Sequence, residues 1–91
     1  MIKIKKENKE VLYPAEDIPV LYNRDLIYLK KLALLNSNQK VRLCAHKSPR
    51  SKLHEMFIVH TRKCYVRPHK HINKSESVSV LEGEVDIILF N

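Results

Sequence analysis

Glycine is almost absent from this chain, which has only one, Gly83. Glycine-rich phosphate-binding loops need several glycines, because their backbone must approach the phosphates closely. The sequence therefore excludes such a loop. Tryptophan is absent, and aromatic residues make up 7% of the chain without the interleaved aromatic and basic pattern of single-strand binders. We expect no nucleic-acid partner.

Cysteines and long apolar runs are also scarce. The two cysteines, Cys44 and Cys64, form no disulfide framework and fit a reducing compartment. No apolar run approaches the ~18 residues that cross a bilayer. The first ten residues, "MIKIKKENKE", carry charge but lack the apolar centre of a secretory signal. We therefore expect a cytoplasmic protein with no membrane partner.

Charge is divided unevenly along the chain. Residues 40–74 carry ten Lys or Arg against one acid, Glu55, whereas residues 75–91 carry four acids and no base. The basic block could attract an anionic ligand or partner. A solvated basic surface without a specific partner is the alternative interpretation. The sequence leaves both open.

The first 39 residues predict a hairpin followed by an amphipathic helix. Residues 1–13 contain two short apolar stretches around a polar turn. Over residues 24–35 the apolar side chains recur at helical spacing, and Asn23 stands where a helix cap is expected. These apolar positions are Leu26, Leu29, Leu32 and Ala33.

Residues 40–91 predict antiparallel strands without a crossover helix. Alternation in "VRLCAH" and the apolar run "EMFIVHT" indicate two strands, and "CYVR" indicates another before Pro68. The stretch "ESVSVLEGEVDIILF" predicts two more strands around a tight turn at Gly83. The expected fold is therefore mainly β, a sandwich or barrel, with residues 1–39 as an N-terminal extension and residues 40–91 as the β domain.

The segment "RPHKHINKSE" contains the strongest candidate site. On a strand, His69 and His71 would lie on one face, and Glu76 would begin the next strand. Two imidazoles and a carboxylate on one side of an ion suit Fe(II), and also Mn, Ni or Zn. The alternative is a polar turn in which Glu76 pairs with Lys74 or Arg67.

The spacing around this segment resembles the first motif of the cupins. "PHKHINKSESVSVLEG" has His-x-His, four residues, Glu, six residues and then Gly, and residues 40–91 are similar to the WbuC-type cupin-fold metalloproteins. The resemblance implies a cupin barrel, also called a double-stranded β-helix or jelly roll. It further implies one divalent metal ion bound by His69, His71 and Glu76, a homodimer, and a sugar or nucleotide-sugar ligand linked to surface-polysaccharide (O-antigen) metabolism.

One part of the cupin pattern is missing. The fourth metal ligand of cupins is a histidine in a second motif, which would follow residue 91. We therefore expect residues 40–91 to be the first part of a barrel, either truncated or completed by another chain. The residues do not decide whether the protein is an enzyme.

Four further residues are candidates for contacting a ligand at the rim of such a barrel: Arg42, His46, Tyr65 and Arg67. Arg42 suits an anionic group, and His46 would lie near the metal. Alternation alone does not say which face of their strand points inward. The competing functions are a non-enzymatic basic module that binds an anionic partner, and a non-functional cupin fragment.

Overall fold

The computed structural model describes residues 3–70 and 75–89. In these residues, strand β1 is Ile4–Lys6, β2 is Val11–Pro14, helix α1 is Asn23–Leu35, β3 is Lys40–Cys44 and β4 is Met56–His60. The strands form one sheet in the order β1-β2-β3-β4, and α1 packs against it. In the described part of the chain, no helix has the length and apolar content to cross a membrane.

The predicted N-terminal hairpin is confirmed. β1 and β2 pair antiparallel, with Ile4 opposite Pro14. The side-chain oxygen of Asn8 holds the turn, because it accepts hydrogen bonds from the backbone N–H groups of Glu10 at 2.8 Å and Val11 at 2.9 Å. Asparagine favours such turns because its short side chain satisfies nearby backbone donors.

The predicted amphipathic helix is confirmed as α1. Leu29 and Ala33, four residues apart, lie on one face and are buried. At the start of the helix, the carboxylate of the buried Asp25 accepts a hydrogen bond from the backbone N–H of Tyr22 at 2.9 Å. Tyr22 is therefore the cap residue, and Asn23, expected as the cap, is the first residue of the helix.

Two side chains join the end of α1 to the sheet. The amide of the buried Asn36 donates to the carbonyl oxygens of Lys9 at 2.6 Å and Lys40 at 2.9 Å. Gln39 has a positive φ of 58°, which is uncommon for a residue other than glycine. Its side-chain amide donates to the carbonyl oxygen of Leu34 at 2.9 Å. These bonds satisfy backbone carbonyls where the chain turns sharply into β3.

The pairing of β2 with β3 corrects the expectation of purely antiparallel strands. These two strands run parallel, with Leu12 opposite Leu43. Parallel neighbours need a long crossover connection, and α1 supplies it. The β2–α1–β3 unit therefore places the predicted extension, residues 1–39, in the same sheet as the strands that follow it.

The core lies between α1 and one face of the sheet. Leu12 and Leu43 contribute from the central strands, and the full buried cluster is Leu12, Leu29, Ala33, Val41 and Leu43. Phe57 and Val59 of β4 pack against this cluster. β3 and β4 are antiparallel, as predicted, with Arg42 opposite Ile58.

No strand or helix follows His60 in residues 61–70 or 75–89. The strand predicted before Pro68 and the two predicted around Gly83 are therefore wrong for the described residues. Alternation of apolar and polar residues around Gly83 is not sufficient to form strands. A lone hairpin is only marginally stable in water unless a further layer covers its apolar face. One detail is confirmed: Gly83 has φ +86°, as a tight turn requires.

Candidate functional site

Two of the three predicted metal ligands, His69 and Glu76, lie in described residues without regular structure. His69 and Glu76 are both exposed, and neither is on a strand. His71 falls in residues 71–74, outside the described residues. The expectation that Glu76 would begin a strand is wrong for the described residues, since 75–80 have no regular structure.

The ring of His69 contacts the backbone two residues before it. Its Nδ1 lies 3.1 Å from the carbonyl oxygen of Arg67. A carbonyl only accepts hydrogen bonds, so Nδ1 must carry the proton, and the lone pair is then on Nε2. Histidines that bind a metal through Nε2 commonly donate their other N–H to a carbonyl or carboxylate, which fixes the tautomer.

Within residues 3–70 and 75–89, no group of three His, Cys, Asp or Glu side chains is arranged to hold a metal ion. The proposed ligand set contains only two described members, His69 and Glu76. Its third member, His71, lies outside the described residues. The complete set therefore stays a prediction.

The four ligand-contact candidates fall into two separate parts of the structure. Tyr65 and Arg67 are exposed on the irregular segment 61–70. Arg42 is exposed on β3, and His46 is buried just beyond the end of that strand. Arg42 and His46 thus belong to the four-stranded unit, whereas Tyr65 and Arg67 follow its last strand.

His46 is the centre of a cluster that the sequence did not predict. Its ring stacks on His54, with centroids 4.1 Å apart and planes at 13°, and it meets the ring of Tyr13 edge-on at 5.8 Å. Nδ1 of His46 lies 3.1 Å from the backbone nitrogen of Glu55, and the His54 ring bonds to the carbonyl of Pro49 at 3.1 Å. These contacts hold the β3–β4 loop, residues 45–55, against the sheet.

Cys44 and Tyr13 lie close together beside this cluster and affect each other's ionisation. Burial raises the pKa of the Cys44 thiol, although the nearby Arg42 guanidinium opposes the shift. Desolvation, followed by the proximity of Cys44, raises the pKa of the Tyr13 phenol. Both groups are therefore neutral at physiological pH, so Cys44 is a poor nucleophile and a structural role is favoured.

Exposed basic side chains are found on β3, in the β3–β4 loop and in the irregular segment 61–70. Eight Lys or Arg residues between 42 and 70 are exposed: Arg42, Lys47, Arg50, Lys52, Arg62, Lys63, Arg67 and Lys70. Lys47 pairs with Asp17 at 2.9 Å. Glu82, one of the four acids in residues 75–91, pairs with Lys30 of α1 at 2.6 Å. The described part of the basic block therefore largely faces solvent.

Residues 21–91 match the family DUF6016, described as a domain of unknown function. The chain belongs to this family. The match begins just before α1, so it includes the helix, β3, β4 and the His-x-His segment, and it leaves out the N-terminal hairpin. No curated protein matches the chain. No solved structure matches it.

Proposed function

We propose that this protein binds one divalent metal ion through His69, His71 and Glu76, in the manner of a cupin. The observation that carries the proposal is the spacing His-x-His, four residues, Glu, six residues, Gly over residues 69–83. The donors are two imidazoles and a carboxylate, a set that suits Fe(II), Mn, Ni or Zn. The family match spans the whole of this spacing.

Two structural details support the proposal. The carbonyl of Arg67 selects the His69 tautomer that has its lone pair on Nε2. Gly83 adopts positive φ at the position that the motif reserves for glycine. The two described donors, His69 and Glu76, lie outside any strand or helix, so metal binding would order the residues around them, as it does in other small metal-dependent domains.

The chemistry of such an ion is that of a Lewis acid, which polarises a bound substrate oxygen. A sugar or nucleotide-sugar ligand, a link to surface-polysaccharide metabolism and a partial cupin barrel belong to the same proposal. They rest on the family resemblance. A cytoplasmic location is part of it too, and both Cys44 and Cys64 are free thiols, as a reducing compartment favours.

The proposal is tested by measuring metal affinity with protein that has no histidine tag. Calorimetric titrations with Zn²⁺, Ni²⁺ and Mn²⁺, and with Fe²⁺ without oxygen, are compared for wild type, His71→Ala and Glu76→Gln. We expect each variant to weaken the affinity by about tenfold or more, because each removes one donor. His54→Gln is the matched control, since His54 is an exposed histidine outside the motif and should leave the affinity unchanged.

Two results would refute the metal site. One is the absence of binding by the wild type for all four ions. The other is an equal loss in His54→Gln and in the motif variants, which would indicate nonspecific histidine binding. Far-UV circular dichroism adds a second readout, because ordering of the segment should increase the strand signal only when metal and all three donors are present.

A second candidate function is binding of an anionic partner by the exposed basic surface. It is favoured by the eight exposed Lys and Arg residues between 42 and 70. Binding of a labelled polyphosphate should then weaken steeply as salt increases, since phosphate contacts release counterions. Charge reversal by Arg50→Glu and Lys52→Glu should weaken it further, whereas His71→Ala should not. Binding that is insensitive to salt would exclude this function.

A further inference from the structure

The two edges of the sheet differ in how they are protected from another strand. β1 is three residues long and contributes Lys5 and Lys6, and short, lysine-rich edge strands resist pairing. β4, Met56–His60, has five residues and none of them is Lys, Arg, Asp or Glu. In the described part of the chain, the sheet ends at β4. This edge is therefore open and apolar.

The segment 84–89 has the pattern of a strand that could pair with this edge. Glu84 and Asp86 alternate with Val85, Ile87 and Leu89, whereas Ile88 adds one apolar side chain to the end of the charged face. The three alternating apolar side chains are 55%, 64% and 88% exposed, so the described residues leave them largely uncovered. Alternation of this kind suits a strand with one apolar face and one charged face.

The faces of β4 match this pattern. Phe57 and Val59 pack on the core side of the sheet. On the other side, Ile58 is paired with Arg42 and His60 with Lys40, so this face is basic. A strand added to β4 would extend the apolar core on one face. On the other face, its acidic side chains would approach Arg42 and Lys40.

One antiparallel register satisfies both faces. With Val85 opposite Val59 and Ile87 opposite Phe57, the apolar side chains continue the core. The same register places Asp86 opposite Ile58 and Glu84 opposite His60. The Asp86 Cα would then lie about 10 Å from that of Arg42, two strand spacings away, a distance that the two side chains can bridge.

We propose that segment 84–89 of one copy pairs with β4 of a second copy, and that the exchange is reciprocal and gives a symmetric dimer. Within its own chain, the described residues 75–89 contact α1 through the Glu82–Lys30 ion pair and form no strand with β4. The β4 edge is therefore available to another copy. Main-chain bonds supply the attraction, and the charges select the register. This pairing does not depend on the proposed metal site.

The test is the molar mass in solution as a function of protein concentration, measured by sedimentation with a chelator present. The chelator removes any association through bridging metal ions. We expect a wild-type dimer and at least about tenfold weaker association for Ile87→Lys, since a charge replaces part of the apolar face. Leu35→Lys is the matched control, because Leu35 is 82% exposed at the end of α1 and belongs neither to β4 nor to segment 84–89. It should dimerise like the wild type.

A charge exchange tests the register itself. Asp86→Lys should weaken the dimer, since lysine would face Arg42, and the double variant Asp86→Lys with Arg42→Glu should restore it. Circular dichroism of each variant checks that the four-stranded unit is intact. A wild-type monomer at every concentration overturns the proposal, and so does a dimer that Ile87→Lys leaves unchanged. Failure of the double variant to recover overturns the pairing in this register.

Discussion

Residues 3–60 and the described residues beyond them have similar apolar patterns but different structures. The first region contains every strand and the helix, and its Leu12, Ala33 and Leu43 are fully buried. In residues 75–89, Val80, Leu81 and Ile88 are all exposed. The first region has α1 to cover one face of its sheet, whereas no described element covers the second.

The comparison shows what an apolar alternation needs before it becomes a strand. β3 has a partner on each side and a helix across one face, so its backbone donors and its apolar side chains are both satisfied. The segment around Gly83 has a turn residue with the required positive φ but no such neighbours in the described residues. Both proposals supply the missing contacts. In one, β4 of a second copy pairs with segment 84–89; in the other, a metal ion joins His69, His71 and Glu76.

The largest expected effect is on the free energy of unfolding, and it should differ between residues 3–60 and residues 75–89. Leu43→Ala should lower the free energy of unfolding by about 2–5 kcal/mol, because it leaves a cavity in the core. Leu81→Ala, at a residue that is 80% exposed, should change it by about 0.5 kcal/mol or less. Urea unfolding followed by circular dichroism measures both. Equal losses would mean that residues 75–89 belong to the same core.

The two cysteines give the next test, one in each region. Cys44 is buried and the pKa of its thiol is raised by that burial, whereas Cys64 is half-buried in the irregular segment. We expect iodoacetamide to label Cys64 much faster than Cys44, since labelling needs an accessible thiolate. Peptide mass spectrometry over time measures both rates, with unfolded protein as the reference. Similar rates in the folded protein would contradict the burial of Cys44.

The smallest expected effect is the titration of His60 at the outer edge of the sheet. Partial burial, and then the Lys40 ammonium opposite, lowers the pKa of its imidazole. Because protonation is easier in the unfolded chain, this residue should reduce stability as pH falls below about 6.5 and have no effect above it.

NMR titration of the His60 ring tests the cause of this shift. Lys40→Met should raise the pKa of His60 only part of the way to its usual value, because burial is the larger cause. Lys47→Met is the control, since Lys47 pairs with Asp17 in a different part of the structure. An unchanged pKa in Lys40→Met would exclude the proposed electrostatic contribution.

The parts of the fold that sequence reasoning predicted are those with a local signal. The helical spacing of apolar residues such as Leu29 and Ala33 identified α1, the alternation in "VRLCAH" identified β3, and an apolar run identified β4. The parallel pairing of β2 with β3 was missed because it depends on contacts across a 13-residue helix. Strands before Pro68 and around Gly83 were predicted wrongly, since alternation does not report whether a partner is present.

The candidate site also has a part that the sequence predicts and a part that it does not. The spacing of His69, His71 and Glu76 can be read from the sequence, but their common centre stays a prediction. The stacking of His46 on His54 was not foreseen, because the two residues are brought together by the path of an irregular loop. Two histidines flanking a loop between antiparallel strands were the available signal, since the strand ends must lie close together.

The hydrogen bonds of Asn36 restrict which changes this position can tolerate, whether by mutation or by chemical modification. Its amide nitrogen contacts two carbonyl oxygens, one before α1 and one after it. Aspartate has nearly the same shape, but it would place a negative oxygen against those two carbonyls. A change of this amide to an acid, whether by mutation or by deamidation, would therefore replace two hydrogen bonds with repulsion and weaken the attachment of the helix to the sheet that it covers.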